Sequence, residues 1–423
     1  MSLLYTLNST NARRHFPIHS ISRRSFRPLW RNGNLRNCSA YTAGPSSIHI
    51  HSLKTDFPYI WLRDSCQGPV CVHPSTQQKL HRSSDVPASI APREGGIYFS
   101  NDVLLIDWID GHRSRYHISF LSQYSSAQHL HAFHKDVMRE KWDSTLISAG
   151  PSLFVSYDAL GLSPTHQLVS MRQLLRYGLL FVTDVPTEQS SDERCELRAL
   201  AEIFGKIRPT FYGEVWDVKN IRERSRNIAY TNLDLGLHMD LMYMQHPPQY
   251  QILHCLKNRV VGGASIFSDT LHAASMLRVS HPDDFHVLAN TDIAFHYIND
   301  GHHLRCERPT IELSRSGEIV HVNYSPPFQA PLSLSSPPQL YTASRRFTDL
   351  VNDPSSTFTY TLKEGDAVLF DNRRVLHART AFHEDETRPV EGESSRWLKG
   401  CYLDDDTILD KVRTTADKYV DEQ

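Results

Sequence analysis

No stretch of this 423-residue chain stays apolar for the ~20 residues that a membrane-crossing helix needs, so a spanning helix is excluded and a soluble protein without a membrane partner is the expectation. Cysteine is scarce, with seven residues scattered along the chain and only Cys66 and Cys71 close together. An odd, dispersed set excludes a secreted disulfide framework and points to reduced thiols. Internal repeats and low-complexity tracts are lacking too, which removes solenoids and arrays. The most local absence is of acid: the first 55 residues hold no Asp or Glu, while Arg13, Arg14, Arg23, Arg24, Arg27, Arg31 and Arg36 all fall before residue 40. Without those seven arginines the formal charge drops from −2 to −9.

An acid-free start rich in Arg and Ser has the composition of a mitochondrial transit peptide. The alternative is a disordered basic arm for nucleic acid or an anionic surface. The remainder is acidic and has no lysine-rich patch, which argues against a nucleic-acid partner. The expected location is the mitochondrial matrix, or the cytoplasm if the segment is not a transit peptide. Residues 1–55 are therefore set outside the fold.

From residue 56 to about 130 the pattern predicts a small β-rich N-terminal domain, with strands at Gly96–Ser100, Val103–Trp108 and Arg115–Ser119 and a turn at Asp110-Gly111. Within it Cys66, Cys71 and His112 are candidate zinc ligands, but a tetrahedral site needs four donors and these are three. Residues 131–423 form the second domain. Leu168, Met171, Leu174 and Leu175 share one helical face that stops at Gly178, and Ser190 with Glu193 reads as a capping box for a helix running to Gly205. Beyond Pro209 short strands dominate: Tyr250–Leu256, Ala264–Phe267, Ile293–Tyr297, Thr310–Leu313, Ile319–Asn323, Phe358–Leu362 and Ala367–Phe370. Helices are expected near 271–281, 338–352 and 406–419. The fold class is mainly β with flanking helices, a sandwich or barrel.

Chemistry enters with His238 and Asp240, which an extended strand would turn to the same face. Two-residue coincidences are common among 24 histidines, so the pair gains weight only jointly with His377, delivered by the buried strand before it. Two His and one carboxylate are the ligand set of non-haem Fe(II) oxygenases, which leaves coordination positions open. A 2-oxo acid chelating such an iron needs an Arg for its distal carboxylate. Arg396 follows on the next strand, and Arg379, two residues from His377, competes with it.

Many ordered motifs carry a wider likeness. Trp61-Leu62-Arg63-Asp64, Thr210-Phe211-Tyr212-Gly213, Ala229-Tyr230-Thr231, His238 with Asp240, Pro247-Pro248, Leu253-His254-Cys255-Leu256, Gly262-Gly263, Asp371-Asn372 with His377, and Gly400-Cys401-Tyr402 together resemble the gamma-butyrobetaine dioxygenase and trimethyllysine dioxygenase family. The resemblance spans about 57–412. It implies a distorted double-stranded β-helix (jelly roll), and a dimeric oxygenase using Fe(II), 2-oxoglutarate and ascorbate in carnitine biosynthesis. It further implies His238, Asp240 and His377 as iron ligands, and Arg396 and Ser265 as 2-oxoglutarate contacts. Tyr212, Trp216, Tyr230 and Tyr402 match a cage for a trimethylammonium group, whose charge only aromatic faces can hold because it has no hydrogen to donate. Asn227 and Asn323 match the residues that receive the substrate carboxylate. An amide at 227, where trimethyllysine enzymes tend to carry an acid, favours gamma-butyrobetaine, with trimethyllysine or another quaternary ammonium as the alternative.

The chain departs from that pattern twice. Leu241 stands where a cage Tyr is expected, so Tyr243 is the candidate to complete the wall. Gly68 stands where a third zinc cysteine is expected, leaving His73 as a substitute or the zinc absent.

Overall fold

The computed structural model describes residues 40–219, 229, 231–384 and 394–421. It divides into two compact units, residues 1–126 and 127–423.

The N-terminal unit holds two antiparallel three-stranded sheets, Tyr41–Ala43 with Ser47–Ile50 and Thr55–Pro58, and Pro92–Ser100 with Val103–Trp108 and Arg113–His117. Leu104, Ile106 and Trp108 alternate inward with period two, and they bury against Ile48, Ile50, Phe57 and Tyr116. The first ordered strands thus precede residue 55, where the sequence places the start of the fold. The Ser47–Ile50 strand buries only Ile48 and Ile50, a signal too short to stand out inside an acid-free segment.

The larger unit is built on two sheets. The major one runs Phe154–Ser156, Leu179–Thr183, Ala367–Asp371, Tyr250–Asn258, Arg396–Leu403, Trp216–Lys219, antiparallel except for its first pair. The minor one runs Leu235–His238, Val375–Arg379, Ser265–Asp269, Thr357–Tyr360, antiparallel throughout. Neighbouring strands come from distant parts of the chain, as in a jelly roll. Alternation then sorts the side chains. Phe181, Val368, Phe370 and Leu398 of the major sheet meet Phe267 and Val375 of the minor one in an inner core. Leu180, Val182, Leu369 and Leu403 point the other way, onto the helices Pro164–Tyr177, Glu196–Phe204 and Asp405–Asp421. Both faces of the major sheet are covered, which is why its strands read as continuous apolar runs.

The Pro164–Tyr177 helix ends where the sequence predicts, at Gly178 with φ of +73°, in the left-handed region that glycine tolerates. The Glu196–Phe204 helix departs from expectation. It begins after a turn in which Cys195 N–H donates to Ser191 O (2.9 Å), so the Ser190 and Glu193 pair caps nothing. The strand Val375–Arg379 is pinned at its start by Arg374. That guanidinium donates through Nε and Nη2 to Asp269 at 2.9 Å each, at the end of the adjacent strand. Both groups are buried, and a charge this deep is tolerable only when paired.

Candidate active site

His238 is the last residue of its strand and pairs across the ladder with His377. Asp240 lies just past the strand end, not within it as the sequence reading has it. What holds it is backbone chemistry. The amide of the fully buried Asn372 takes both main-chain groups of Asp240, Oδ1 accepting from its N–H at 2.8 Å and Nδ2 donating to its carbonyl at 3.0 Å; Nδ2 also reaches Pro248 O at 3.2 Å. Met239, between the two, is clamped in turn: its N–H donates to Tyr324 O (2.9 Å), and Ser325 Oγ donates to its carbonyl (2.8 Å). Leu241 follows with φ of +62°, unusual for a residue with a side chain.

This scaffold makes three donors converge. His238 Nε2 lies 3.5 Å from Asp240 Oδ1, and His377 Nε2 lies 3.9 Å from Asp240 Oδ2. One donor atom from each residue lies within 4.8 Å of the others. Nδ1 of His238 is 2.9 Å from Gly236 O. Donation of its hydrogen there leaves the Nε2 lone pair free, the tautomer a metal ligand requires. Burial and the neighbouring His238 push His377 down to about 3, so its imidazole is neutral. Burial alone would raise the Asp240 carboxyl. The hydrogen bond and charge of His238, the charge of His377 and the Tyr402 hydroxyl outweigh it, holding the group below the ordinary carboxylate range. Two imidazoles and one carboxylate, with donor atoms within 4.8 Å of one another, fit a divalent metal.

A cavity opens on this cluster, lined by Asp240, His377, Ser265, Arg379, Arg396 and Trp216 among others. Arg396 is buried, and no described residue accepts a hydrogen bond from its guanidinium; it only faces the Phe382 ring at 5.5 Å. Burial and then the charge of Arg379 lower it to about 10, and it remains a cation. A buried cation lacking its anion is a site for one. Arg379 is different, because its guanidinium is already committed to Ala229 O at 3.0 Å and Leu233 O at 2.6 Å. Of the two candidates, then, only Arg396 is left to meet a carboxylate. The turn at Gly262-Gly263 makes room. Gly262 has φ of +90° and its Cβ would collide with Ala381 O, while a Cβ on Gly263 would press on Arg396 Nε.

A second cavity shares Trp216, Val218, Ala229 and Asp240 with the first and is walled by Tyr212, Trp216, Leu241, Tyr243, Phe328 and Tyr402. Trp216 lies 5.3 Å from Tyr402 and 6.5 Å from Tyr212, centroid to centroid, and Tyr243 meets Phe328 edge-on at 5.1 Å. Gly400 is what lets Trp216 lie there, since a Cβ at 400 would collide with the indole. Tyr402 also donates to Asp240 Oδ2 at 3.0 Å. The structure places Tyr212, Trp216, Tyr243 and Tyr402 around one cavity, and adds Phe328 to its wall and Asn372 beneath Asp240, two positions that the sequence reading did not single out. Nothing near Phe328 marks it, and Asn372 is legible only as part of a motif. Asn227 and Tyr230 lie outside the described residues.

Asn323 is a correction. Its amide donates to Pro309 O and to Glu312 Oε1, both at 2.8 Å, and accepts from Arg373 Nη2 at 3.1 Å. It lines a separate cavity with Tyr324, Ser325 and Gln329. With both ends of its amide spent in a buried network, it is not available to a carboxylate beside the metal cluster.

A cluster of two His and one Asp in a jelly roll, with a buried arginine beside it, fits the class of 2-oxoglutarate- and Fe(II)-dependent dioxygenases. Comparison with known proteins adds the family. Residues 148–402 match the model described as Taurine catabolism dioxygenase TauD, TfdA family, and the chain belongs to that family. Residues 51–122 match Gamma-butyrobetaine hydroxylase-like, N-terminal. Dioxygenase str8 of Strobilurus tenacellus is 50% identical, covering 89% of each chain. Gamma-butyrobetaine dioxygenase of Pseudomonas sp. (strain AK-1) is 29% identical over 89% of this chain and 95% of its own. The mitochondrial trimethyllysine dioxygenase of Bos taurus is 28% identical over 84% and 82%. The enzyme is thus a dioxygenase whose family implies Fe(II) and 2-oxoglutarate.

Proposed function

We propose that this dioxygenase hydroxylates a small quaternary-ammonium compound, with conversion of gamma-butyrobetaine to L-carnitine as the specific reaction. One observation carries the reading: the aromatic cavity and the Arg396 cavity meet at Asp240. His238, Asp240 and His377 would hold the iron, and Arg396 with Ser265 the distal carboxylate of 2-oxoglutarate. Bound there, Fe(II) and 2-oxoglutarate would activate dioxygen for C–H hydroxylation, one oxygen atom going to the substrate and the other to the succinate left when 2-oxoglutarate loses carbon dioxide.

The protein's own work is placement. Tyr212, Trp216, Tyr243, Phe328 and Tyr402 face a cation that cannot donate hydrogen bonds, so attraction to ring faces is its main anchor. That anchor sets which substrate carbon lies nearest the metal, and positioning of this kind is worth orders of magnitude in rate. Tyr402 serves both sides, with its ring in the cage and its hydroxyl on the Asp240 carboxylate. Asn227 and Tyr230, outside the described residues, complete the proposal at the carboxylate and the cation. Ascorbate as reductant, a homodimer, and import to mitochondria on the arginine-rich N-terminus belong to the same reading.

A second reading has its own support. With Asn323 engaged elsewhere and Leu241 in the wall, a quaternary-ammonium substrate lacking the gamma-butyrobetaine carboxylate fits the described residues equally well. Trimethyllysine, which carries an α-ammonium beside its carboxylate, is a further competitor. The deciding experiment supplies purified protein with Fe(II), 2-oxoglutarate and ascorbate, and measures substrate-dependent succinate with gamma-butyrobetaine, trimethyllysine and a panel of trimethylammonium compounds. Strongest turnover of gamma-butyrobetaine, abolished in His238→Ala, is expected. Preference for another cation transfers the assignment to it, and undiminished turnover in His238→Ala removes the metal assignment.

A further inference from the structure

In the N-terminal unit Cys66, Cys71 and His112 converge, their donor atoms lying within 4.8 Å of one another. In the larger unit Gln251 is a buried polar group that the oxygenase reading does not use. It belongs to the Tyr250–Asn258 strand, is 1% exposed, and its Oε1 has no hydrogen-bond partner among the described residues. Tyr250 and Ile252, on either side of it, pack in the helix-covered core, so Gln251 points to the inner face. There it lines the cavity that also holds Asp240, His377, Ser265 and Arg396. A buried amide oxygen without a partner costs free energy. An apolar side chain would avoid that cost, and Leu253 and Cys255 show that the next inner-face positions of the strand are apolar.

Strand register shows which end of the cavity this amide serves. Gln251 pairs with Tyr402 on one side and with Phe370 on the other. Tyr402 donates to Asp240 Oδ2 at 3.0 Å, and the Phe370 ring lies 4.7 Å from that of His377. Both cross-strand neighbours of Gln251 therefore touch the metal-binding cluster. Arg396 pairs with Asn258, at the far end of the same strand, and Leu253 and Leu398 wall the cavity between. The order is a cation, an apolar middle and a neutral amide beside the cluster. A five-carbon 2-oxo diacid has the matching order of carboxylate, two methylenes, and an oxo group with its own carboxylate. At the far end the Arg396 charge balances a carboxylate. At the cluster end a bound metal ion would supply the charge, and what the protein has left to provide is a neutral N–H donor. Half a turn about the last side-chain bond of Gln251 exchanges its oxygen for its NH2, which offers that donor.

We propose that Gln251 is a specificity residue for the co-substrate, its Nε2 donating to the carboxylate next to the oxo group while Arg396 takes the far carboxylate. This role rests on the dioxygenase reading and deepens it. Gln251 recognises the half of the molecule that every 2-oxo acid shares, and Arg396 the half that only a diacid has.

The test is binding rather than turnover. Full-length protein is loaded with Fe(II) under anaerobic conditions and titrated with 2-oxoglutarate or with 2-oxopentanoate, the same chain without the far carboxylate, following the absorption band. Gln251→Met, close in length but without a donor, should weaken both ligands by a similar factor, ~10-fold or more. Arg396→Lys should weaken 2-oxoglutarate alone. Metal-free Gln251→Met should unfold at or above the wild-type temperature, because an apolar group replaces an unbonded amide; a role in supporting the fold would lower that temperature. Gln251→Leu repeats both measurements with a second side chain. Unchanged 2-oxoglutarate affinity in Gln251→Met, a loss confined to 2-oxoglutarate, or earlier unfolding of both variants would each overturn the proposal while leaving the dioxygenase reading in place. A wild type that forms no band with 2-oxoglutarate would overturn that reading, and this proposal with it.

Discussion

Asn372 offers the sharpest quantitative test of how the site is built. Its amide makes three hydrogen bonds, two of them to the backbone of Asp240, and it is fully buried. Replacing it by Ala removes all three and strands an N–H and two carbonyls in a dry environment. A buried hydrogen bond contributes ~1–1.5 kcal/mol net, and an unsatisfied partner costs somewhat more. The two bonds to Asp240 alone therefore represent about 2–3 kcal/mol of orientation at the ligand. If half or more is expressed in metal binding, Fe(II) affinity falls ~10–100-fold, the range typical for loss of a group that orients a metal ligand. Anaerobic titration of the Fe(II) and 2-oxoglutarate absorption band gives the affinity, and thermal unfolding of the metal-free protein separates out general destabilisation. Asn372→Asp keeps an acceptor for the Asp240 N–H but presents an anion to two carbonyl oxygens, so it should not rescue. An Asn372→Ala enzyme that binds Fe(II) as tightly as the wild type, with an unchanged band, would refute the argument that these bonds set the ligand geometry.

Three further outcomes are expected. Arg396→Lys should raise the 2-oxoglutarate KM by ~10–100-fold with little change in kcat at saturation, since a planar two-point donor becomes a point charge; steady-state kinetics check it. Tyr402→Phe should weaken Fe(II) binding by ~3–10-fold, the hydrogen bond to Asp240 Oδ2 being lost, and the same titration reads it. His254 is buried, which lowers it to about 4. The unfolded chain protonates that residue near its ordinary value of 6.5, so its contribution is fully present above about pH 6.5 and is lost as the pH falls toward 4, by up to ~3 kcal/mol. Urea unfolding from pH 7 to 5 should show a shallower decline in His254→Leu than in the wild type; parallel curves would count against it.

The convergence of His238, Asp240 and His377 was legible in the sequence because it rests on residue type and order, whatever the exact course of the strands. Strand positions were legible for a related reason, as runs such as Ala367–Phe370 are apolar on both faces. What was not legible is whether a polar group is already spent. Asn323 and Arg396 are equally plausible carboxylate partners on paper, yet Asn323 meets Glu312 and Arg373 while Arg396 meets no acceptor among the described residues. Arg379 loses its candidacy in the same way, through two carbonyls contributed by a remote segment. The failed capping box at Ser190 and the early strand at Ser47–Ile50 share this origin, since tertiary pairing decided between local options that the sequence leaves equal.

The phenol of Tyr402 divides the cage into two kinds of position. Because it touches both the aromatic cavity and the Asp240 carboxylate, it cannot be exchanged to suit a new ligand without disturbing Asp240, and Trp216 is similarly tied to Gly400 on the neighbouring strand. Leu241 and Phe328 carry no such double duty. A lineage changing its substrate would be expected to drift at those walls first, and this chain already carries leucine at position 241, the freer kind.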